Sequence, residues 1–146
     1  MKVLVIGGGG REHAIVWKLL QNVNITKIYC APGNGSTAME DKCENISIAS
    51  NNELAVFAVK EKIDLTIVGP EQALAEGIVD VFKAKGLRIF GPSKMAATLE
   101  GSKSYAKSFM QKYGIKTAKS RTFEDSESAL VYIKDCEYPL VVKADG

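Results

Sequence analysis

The chain has 146 residues, of which 46% are hydrophobic and 25% charged, and it carries a formal net charge of +2. That length suits one domain, or one small domain and a piece of a second, and the charge is too small to point to nucleic acid or an anionic membrane as partner. No apolar run approaches the ~20 residues of a membrane span, and residues 2–6 are too short for a signal-peptide core, so a cytoplasmic protein is expected.

Val3-Leu4-Val5-Ile6 is an apolar run of strand length. It leads into Gly7-Gly8-Gly9-Gly10-Arg11-Glu12. A helix is expected over 11–22, with Ile15, Val16, Leu19 and Leu20 at helical spacing and Trp17 widening the packed stripe. Residues 25–30 read as a strand, and Ala31-Pro32-Gly33-Asn34-Gly35-Ser36 as a loop of turn residues. A short strand is expected at 46–48, and a helix at 53–62 with Leu54, Phe57 and Ala58 inward. Residues 63–68 form a strand stopped by Gly69-Pro70-Glu71, 74–85 one amphipathic helix, and 87–90 a strand closed by Gly91-Pro92-Ser93. Repeated strand–helix alternation with short connections predicts an α/β fold, a doubly wound parallel sheet.

The rhythm changes near residues 99–102. A helix is expected over 103–113 with Ser102 as N-cap, a strand over 118–123, a helix capped by Asp125-Ser126-Glu127 with Ala129, Leu130 and Ile133 inward, and a strand over 139–143. This is a fresh βαβ-like start.

In doubly wound sheets ligands sit beyond the C-terminal ends of the strands. Three loops leave strand ends there, at residues 7–12, 31–36 and 69–71, and their polar groups are expected to share one crevice. The first combines glycines, which allow close backbone approach, with a helix N-terminus that favours anions. It reads as a phosphate- or carboxylate-binding corner. It is not a dinucleotide fingerprint: counted from Gly7 or from Gly8, Glu12 or His13 stands where the third glycine belongs. Nor does the second strand end on a carboxylate that could hold a ribose. Gly101-Ser102-Lys103-Ser104 is not a phosphate-binding P-loop, because glycine and lysine are not adjacent.

Arg11 offers a planar fork to a phosphate. Glu12 either binds a ligand or completes a helix cap, and Asn34 either reads a polar ligand or closes an Asx turn. Glu71 is either a ligand for an amine or sugar hydroxyl, or an exposed loop acid. Lys143, after Val141 and Val142, either reaches solvent or meets an anion. The lone histidine, His13, is expected to pack or cap. Cys30, Cys43 and Cys136 show no Cys-x-x-Cys spacing and are expected to be reduced and structural.

Several blocks in order carry a family resemblance over all 146 residues. They are Lys2-Val3-Leu4-Val5-Ile6-Gly7, Gly9-Gly10-Arg11-Glu12-His13-Ala14, Ala31-Pro32-Gly33-Asn34 and Asp64-Leu65-Thr66-Ile67-Val68-Gly69-Pro70-Glu71, followed by Ile89-Phe90-Gly91-Pro92, Leu99-Glu100-Gly101-Ser102-Lys103 and Val142-Lys143-Ala144-Asp145-Gly146. The chain resembles the glycinamide ribonucleotide synthetases, or phosphoribosylamine–glycine ligases, of the ATP-grasp superfamily. The resemblance implies a Rossmann-like (pre-ATP-grasp) substrate domain over 1–100 and the first elements of an ATP-grasp domain over 101–146. It implies an ATP-dependent ligase of purine synthesis that joins glycine to 5-phosphoribosylamine through a glycyl phosphate. Gly8, Gly9, Gly10, Arg11, Glu12, Pro32, Gly33, Asn34, Gly69, Pro70 and Glu71 would hold the phosphoribosyl substrate, and Lys103 and Lys143 would meet ATP. Catalytic residues and the ligands of Mg (or Mn) are expected beyond residue 146, so the chain reads as an N-terminal piece, inactive alone and able to self-associate through apolar surface. A non-catalytic phosphate- or nucleotide-binding module is the alternative. An NAD-dependent oxidoreductase is disfavoured by the failed fingerprint.

Overall fold

In the computed structural model, which describes residues 1–145, the chain divides into two compact units, residues 1–97 and 98–146. Gly146, the last residue of the resembling blocks, lies outside the described residues.

The first unit is built on β1 (Lys2–Gly7). Val3 and Val5 point to one face and Leu4 and Ile6 to the other, and all four are buried. Burial on both faces is why this strand is an unbroken apolar run rather than an alternating one. Around it lies an all-parallel sheet of order β3-β2-β1-β4-β5, with β2 at Lys27–Pro32, β3 at Cys43–Asn45, β4 at Leu65–Val68 and β5 at Ile89–Phe90. One face carries Val16 of α1 (Gly10–Leu20) over Val3, Val5, Ile28 and Cys30. The other carries α2 (Asn51–Glu61) and α4 (Ile78–Ala84), whose Leu54, Ala55, Ala58, Ile78, Val79 and Phe82 close over Leu4, Ile6, Tyr29 and Val68.

Three expectations are corrected here. The short strand is Cys43–Asn45, not 46–48: Cys43 pairs Ile28 and Asn45 pairs Cys30, whereas Ile46 and Ile48 pack on the core as irregular chain. The single helix expected over 74–85 is two, α3 (Glu71–Ala75) and α4, because Gly77 takes φ +89° and breaks the turn between them. Trp17 is not packed but 56% exposed. An unforeseen single turn of 3-10 helix, Thr37–Met39, follows the second loop.

The second unit is simpler. The boundary falls within α5 (Lys94–Gly101), a helix the sequence pattern did not signal. Then come α6 (Lys103–Lys112) and α7 (Ser126–Lys134). Their caps are as expected: the Ser102 hydroxyl accepts from the Tyr105 amide at 3.1 Å, and the Asp125 carboxylate from the Ser128 amide at 2.7 Å. The strands expected at 118–123 and 139–143 do not form among the described residues. A strand exists only through a ladder partner, and among the described residues neither segment has one. No described residue from 98 onward is buried, and Leu130, placed inward by its spacing, is 59% exposed.

Candidate functional site

The loops after β1, β2 and β4 meet at one end of the first unit's sheet, as expected of parallel strands. Gly7, Pro32 and Pro70, one from each loop, line a single cleft of about 580 Å³. Its other walls are apolar, from Ile6, Ala31, Ile48 and Leu54, with Ser47, Asn51, Gln72 and Glu76 as polar members. Those four went unnoticed in the sequence. Ser47 and Asn51 precede or open a helix with no motif around them, so nothing local marks them.

What holds the three loops together is visible atom by atom. Glu12, at the third position of α1, is only 4% exposed, and its carboxylate turns back to accept the Gly9 amide at 2.6 Å. This is the carboxylate half of a capping box. The same carboxylate fills the space beside Gly69: a Cβ there would lie 2.0 Å from its Oε1. It also lies against Gly7, whose φ of +119° admits no other residue easily. Glu12 therefore pins the β1 loop to the β4 loop, and of its two sequence readings the structure displays the cap.

The β2 loop is pinned by other means. A Cβ on Gly8 would stand 2.5 Å from the Gly33 carbonyl oxygen, so the two backbones touch. The Asn34 side chain donates from Nδ2 to the Gly8 carbonyl at 3.0 Å. Its side-chain oxygen accepts from the Ser36 and Thr37 amides at 2.8 and 3.0 Å. That is the Asx-turn reading of Asn34. Gly33 is backed by Asn45, which donates from Nδ2 to the Asn34 carbonyl and accepts from the Thr37 hydroxyl, both at 2.7 Å.

On the outside of this knot lie the groups a ligand could reach. Gly9, Gly10 and Arg11 are exposed. The first amide of α1 to find an intrahelical carbonyl is that of His13, on Gly9 at 3.1 Å. The amides of Gly10, Arg11 and Glu12 are thus the unpaired leading donors of an 11-residue helix. The Gly9 amide is spent on Glu12. Arg11 and Glu71 face each other across two loops at 3.4 Å, with side chains 70% and 61% exposed, a geometry in which each remains free to turn to a ligand. His13 donates to or accepts from Glu40 at 2.8 Å, a local tie.

Lys103 and Lys143 lie in the second unit with exposed side chains. Lys107, one turn from Lys103, is occupied by the Thr117 hydroxyl and the Ala118 carbonyl at 2.8 and 2.9 Å. Among the described residues no group of three or more His, Cys, Asp or Glu side chains is placed to hold a metal, and no helix is long and apolar enough to cross a membrane.

Comparison with known proteins fits this arrangement. Residues 1–100 match the family model described as phosphoribosylglycinamide synthetase, N domain, and residues 101–146 that of its ATP-grasp (A) domain. The phosphoribosylamine–glycine ligases of Clostridium acetobutylicum and Fusobacterium nucleatum are 60% and 54% identical over the whole chain. The chain spans 35% and 34% of their lengths. Among solved structures, the biotin carboxylase domain of Hydrogenobacter thermophilus 2-oxoglutarate carboxylase matches 94% of this chain, and 33% of its own, with a TM-score of 0.69 at 20% identity. The N5-carboxyaminoimidazole ribonucleotide synthetase of Thermotoga maritima matches 90% of this chain, and 36% of its own, with a TM-score of 0.60 at 19% identity. At such identities these two speak for the fold alone. With its matching blocks, its parallel sheet and both family models in register, the chain belongs to the phosphoribosylglycinamide synthetase family.

Proposed function

We propose that the chain forms the substrate-binding N-terminal part of an ATP-dependent phosphoribosylamine–glycine ligase. The overall reaction joins glycine to 5-phosphoribosylamine, giving glycinamide ribonucleotide, ADP and phosphate. ATP, when bound, supplies the phosphoryl group that activates the glycine carboxylate. Residues 1–100 would serve as the phosphoribosyl-binding domain and 101–146 as the opening of the ATP-grasp domain. The protein would work in the cytoplasm on small molecules alone, and exposed Val141 and Val142 would favour self-association, read as a concentration-dependent sedimentation coefficient.

The observation that carries this reading is the junction of the three loops. Glu12 and Asn34 are consumed in building it, which leaves the Gly10 and Arg11 amides without an intrahelical carbonyl and the Arg11 side chain exposed. A phosphate there gains amide hydrogen bonds, the helix dipole and a cation together. Gly8, Gly33 and Gly69 act by having no side chain, and Gly9, Pro32 and Pro70 shape the rim. Glu71 would answer the amine or a ribose hydroxyl, with Arg11 swinging from it to the phosphate. Lys103 and Lys143 suit the charge of ATP phosphates, since both ammonium groups reach solvent. Mg or Mn is assigned to no residue of this chain, and neither is the chemical step.

The test is an amide NMR titration with ribose 5-phosphate. Shifts concentrated on Gly10, Arg11 and Glu12, smaller on Gly9, and weakened in Arg11→Ala, are expected. Shifts spread over the surface, or shifts unchanged in Arg11→Ala, would overturn the assignment.

A further inference from the structure

Cys30 and Cys43 take no part in the site described above, yet their sulfurs are 3.5 Å apart. They stand on neighbouring parallel strands, β2 and β3, on the same side of the sheet and two rungs out of register, since Cys30 pairs Asn45 and Cys43 pairs Ile28. Cys30 is fully buried and Cys43 half-buried. We propose that Cys30 and Cys43 are an intramolecular redox pair, closed to a disulfide by a peroxide, whose closure shifts the β2 loop against the β1 loop.

The roles of the two sulfurs follow from their surroundings. The Cys43 thiol is held below its ordinary range, first by the contact with Cys30, with the Glu44 amide and the Lys27 ammonium adding to it and burial and the Glu40 carboxylate opposing it. The Cys30 thiol is pushed up by that contact and by burial. Cys43 is therefore both the more accessible sulfur and the one with more thiolate. Its thiolate attacks one peroxide oxygen and breaks the O–O bond. The other oxygen leaves as hydroxide, takes a proton and becomes water, and Cys43 is left as the sulfenic acid. The Cys30 sulfur then attacks the sulfenic sulfur, an S–S bond forms, and hydroxide leaves with the Cys30 proton as a second water. Two thiols are oxidised and one peroxide is reduced.

The coupling is mechanical. Two rungs of offset on neighbouring strands put the Cys30 and Cys43 Cα atoms roughly 8 Å apart, and a disulfide needs under about 7 Å, so the strands must move. The one with freedom is β3, three residues long and at the sheet edge. Asn45 ends that strand, and its side chain fills the space beside Gly33, holds the Asn34 carbonyl and accepts from Thr37. Asn34 in turn holds the Gly8 carbonyl. A shift of β3 thus reaches the junction of the loops through Asn45 and Asn34 without touching the exposed donors. The inference needs no particular ligand at that junction.

The test treats the whole chain with hydrogen peroxide, counts thiols under denaturing conditions, maps cross-links by mass spectrometry and compares amide spectra. Expected are a fall from three free thiols to one, Cys136, in a monomer with a Cys30–Cys43 cross-link, and displaced Gly8, Gly33 and Asn34 amides that return with a dithiol reductant. Cys43→Ser should show neither change. Sulfinic acid at Cys43 without a cross-link, or cross-linking through Cys136, would overturn the pair. A Cys30–Cys43 bond with Gly8 and Asn34 amides unmoved would overturn the coupling. Ribose 5-phosphate titrated against the oxidised and reduced forms separates this from the functional proposal: a cross-link with displaced amides, and no ligand binding in either form, fails that proposal and not this one.

Discussion

At the scale of residues, four consecutive glycines are not four copies of one role. Gly8 has the Gly33 carbonyl where its Cβ would be, at 2.5 Å, whereas Gly10 has nothing within 4 Å. The Gly33 oxygen is backbone and cannot swing aside. Gly8→Ala is expected to lose about 1–3 kcal/mol, the usual cost of forcing atoms into a packed place, and to separate the β1 and β2 loops. Gly10→Ala sits at the start of α1 in open space and is expected to gain up to about 1 kcal/mol from helix propensity. Urea unfolding of the two variants checks the pair; equal effects would mean that the contact at Gly8 is not what decides. The same contrast explains what could be read in advance. A glycine run announces a close approach of backbone, and Glu12 three residues past Gly9 fits a cap. Nothing in the chain order says that this carboxylate also fills the hollow at Gly69, which is 57 positions away and reaches it only through the β1–β4 pairing.

At the scale of elements, β1 and β4 were legible because they are apolar runs ended by glycine, and α1 and α2 because they have helical spacing. What misled was local pattern without a partner. Ile46-Ser47-Ile48 alternates like a strand, but the ladder to β2 is spent on residues 43–45. Residues 74–85 keep helical spacing through Gly77, whose positive φ overrides it. Helix ends lend themselves to measurement. Lys62 ends α2 at φ +56°, with its amide and that of Ile63 folded back on the Ala58 carbonyl, a Schellman turn that favours glycine. A left-handed lysine costs ~1–2 kcal/mol, part of which glycine returns as unfolded-state entropy. Lys62→Gly should therefore stabilise by about 0.5 kcal/mol, seen as a higher urea midpoint at unchanged slope.

A second helix end gives a pH dependence. Asp145 caps α6: its carboxylate accepts from the Ser104 hydroxyl and amide and from the Lys103 amide. These bonds, that of the Ser104 hydroxyl first, hold its pKa down at about 2 against an ordinary 3.8. A depressed carboxyl contributes stability that is present above the ordinary value and lost as pH falls through the depressed one. The Lys103 and Ser104 amides should therefore hold their positions down to about pH 4 and move together toward pH 2, a window set by those two values. In Asp145→Asn the movement should vanish; amides that titrate near pH 4 instead would show that the cap does not persist in solution.

At the scale of the whole molecule, the two units differ in kind. The first has two apolar clusters, one on each face of its sheet, in which Leu4, Ile28, Leu54 and Phe82 are fully buried. The second has capped helices and aromatic contacts, such as Phe109 with Tyr113 at 4.5 Å and Phe123 with Tyr132 at 5.3 Å, but no buried residue among those described. Burial is what repays chain entropy, and below about 70–80 residues a single core has little stability to spare. The first unit should then protect its amides to the limit of global unfolding, while α6 and α7 exchange by local opening at far lower cost. Brief proteolysis at low protease should cut first in the exposed stretch 114–122 and leave a resistant product covering at least residues 1–97. If the junction of loops belongs wholly to the first unit, that product should still give the ribose 5-phosphate shifts at Gly10 and Arg11. Protection in α6 and α7 equal to that in β1 would mean that the second unit is stabilised by something other than its own burial, and the division of labour drawn from the two units would fall.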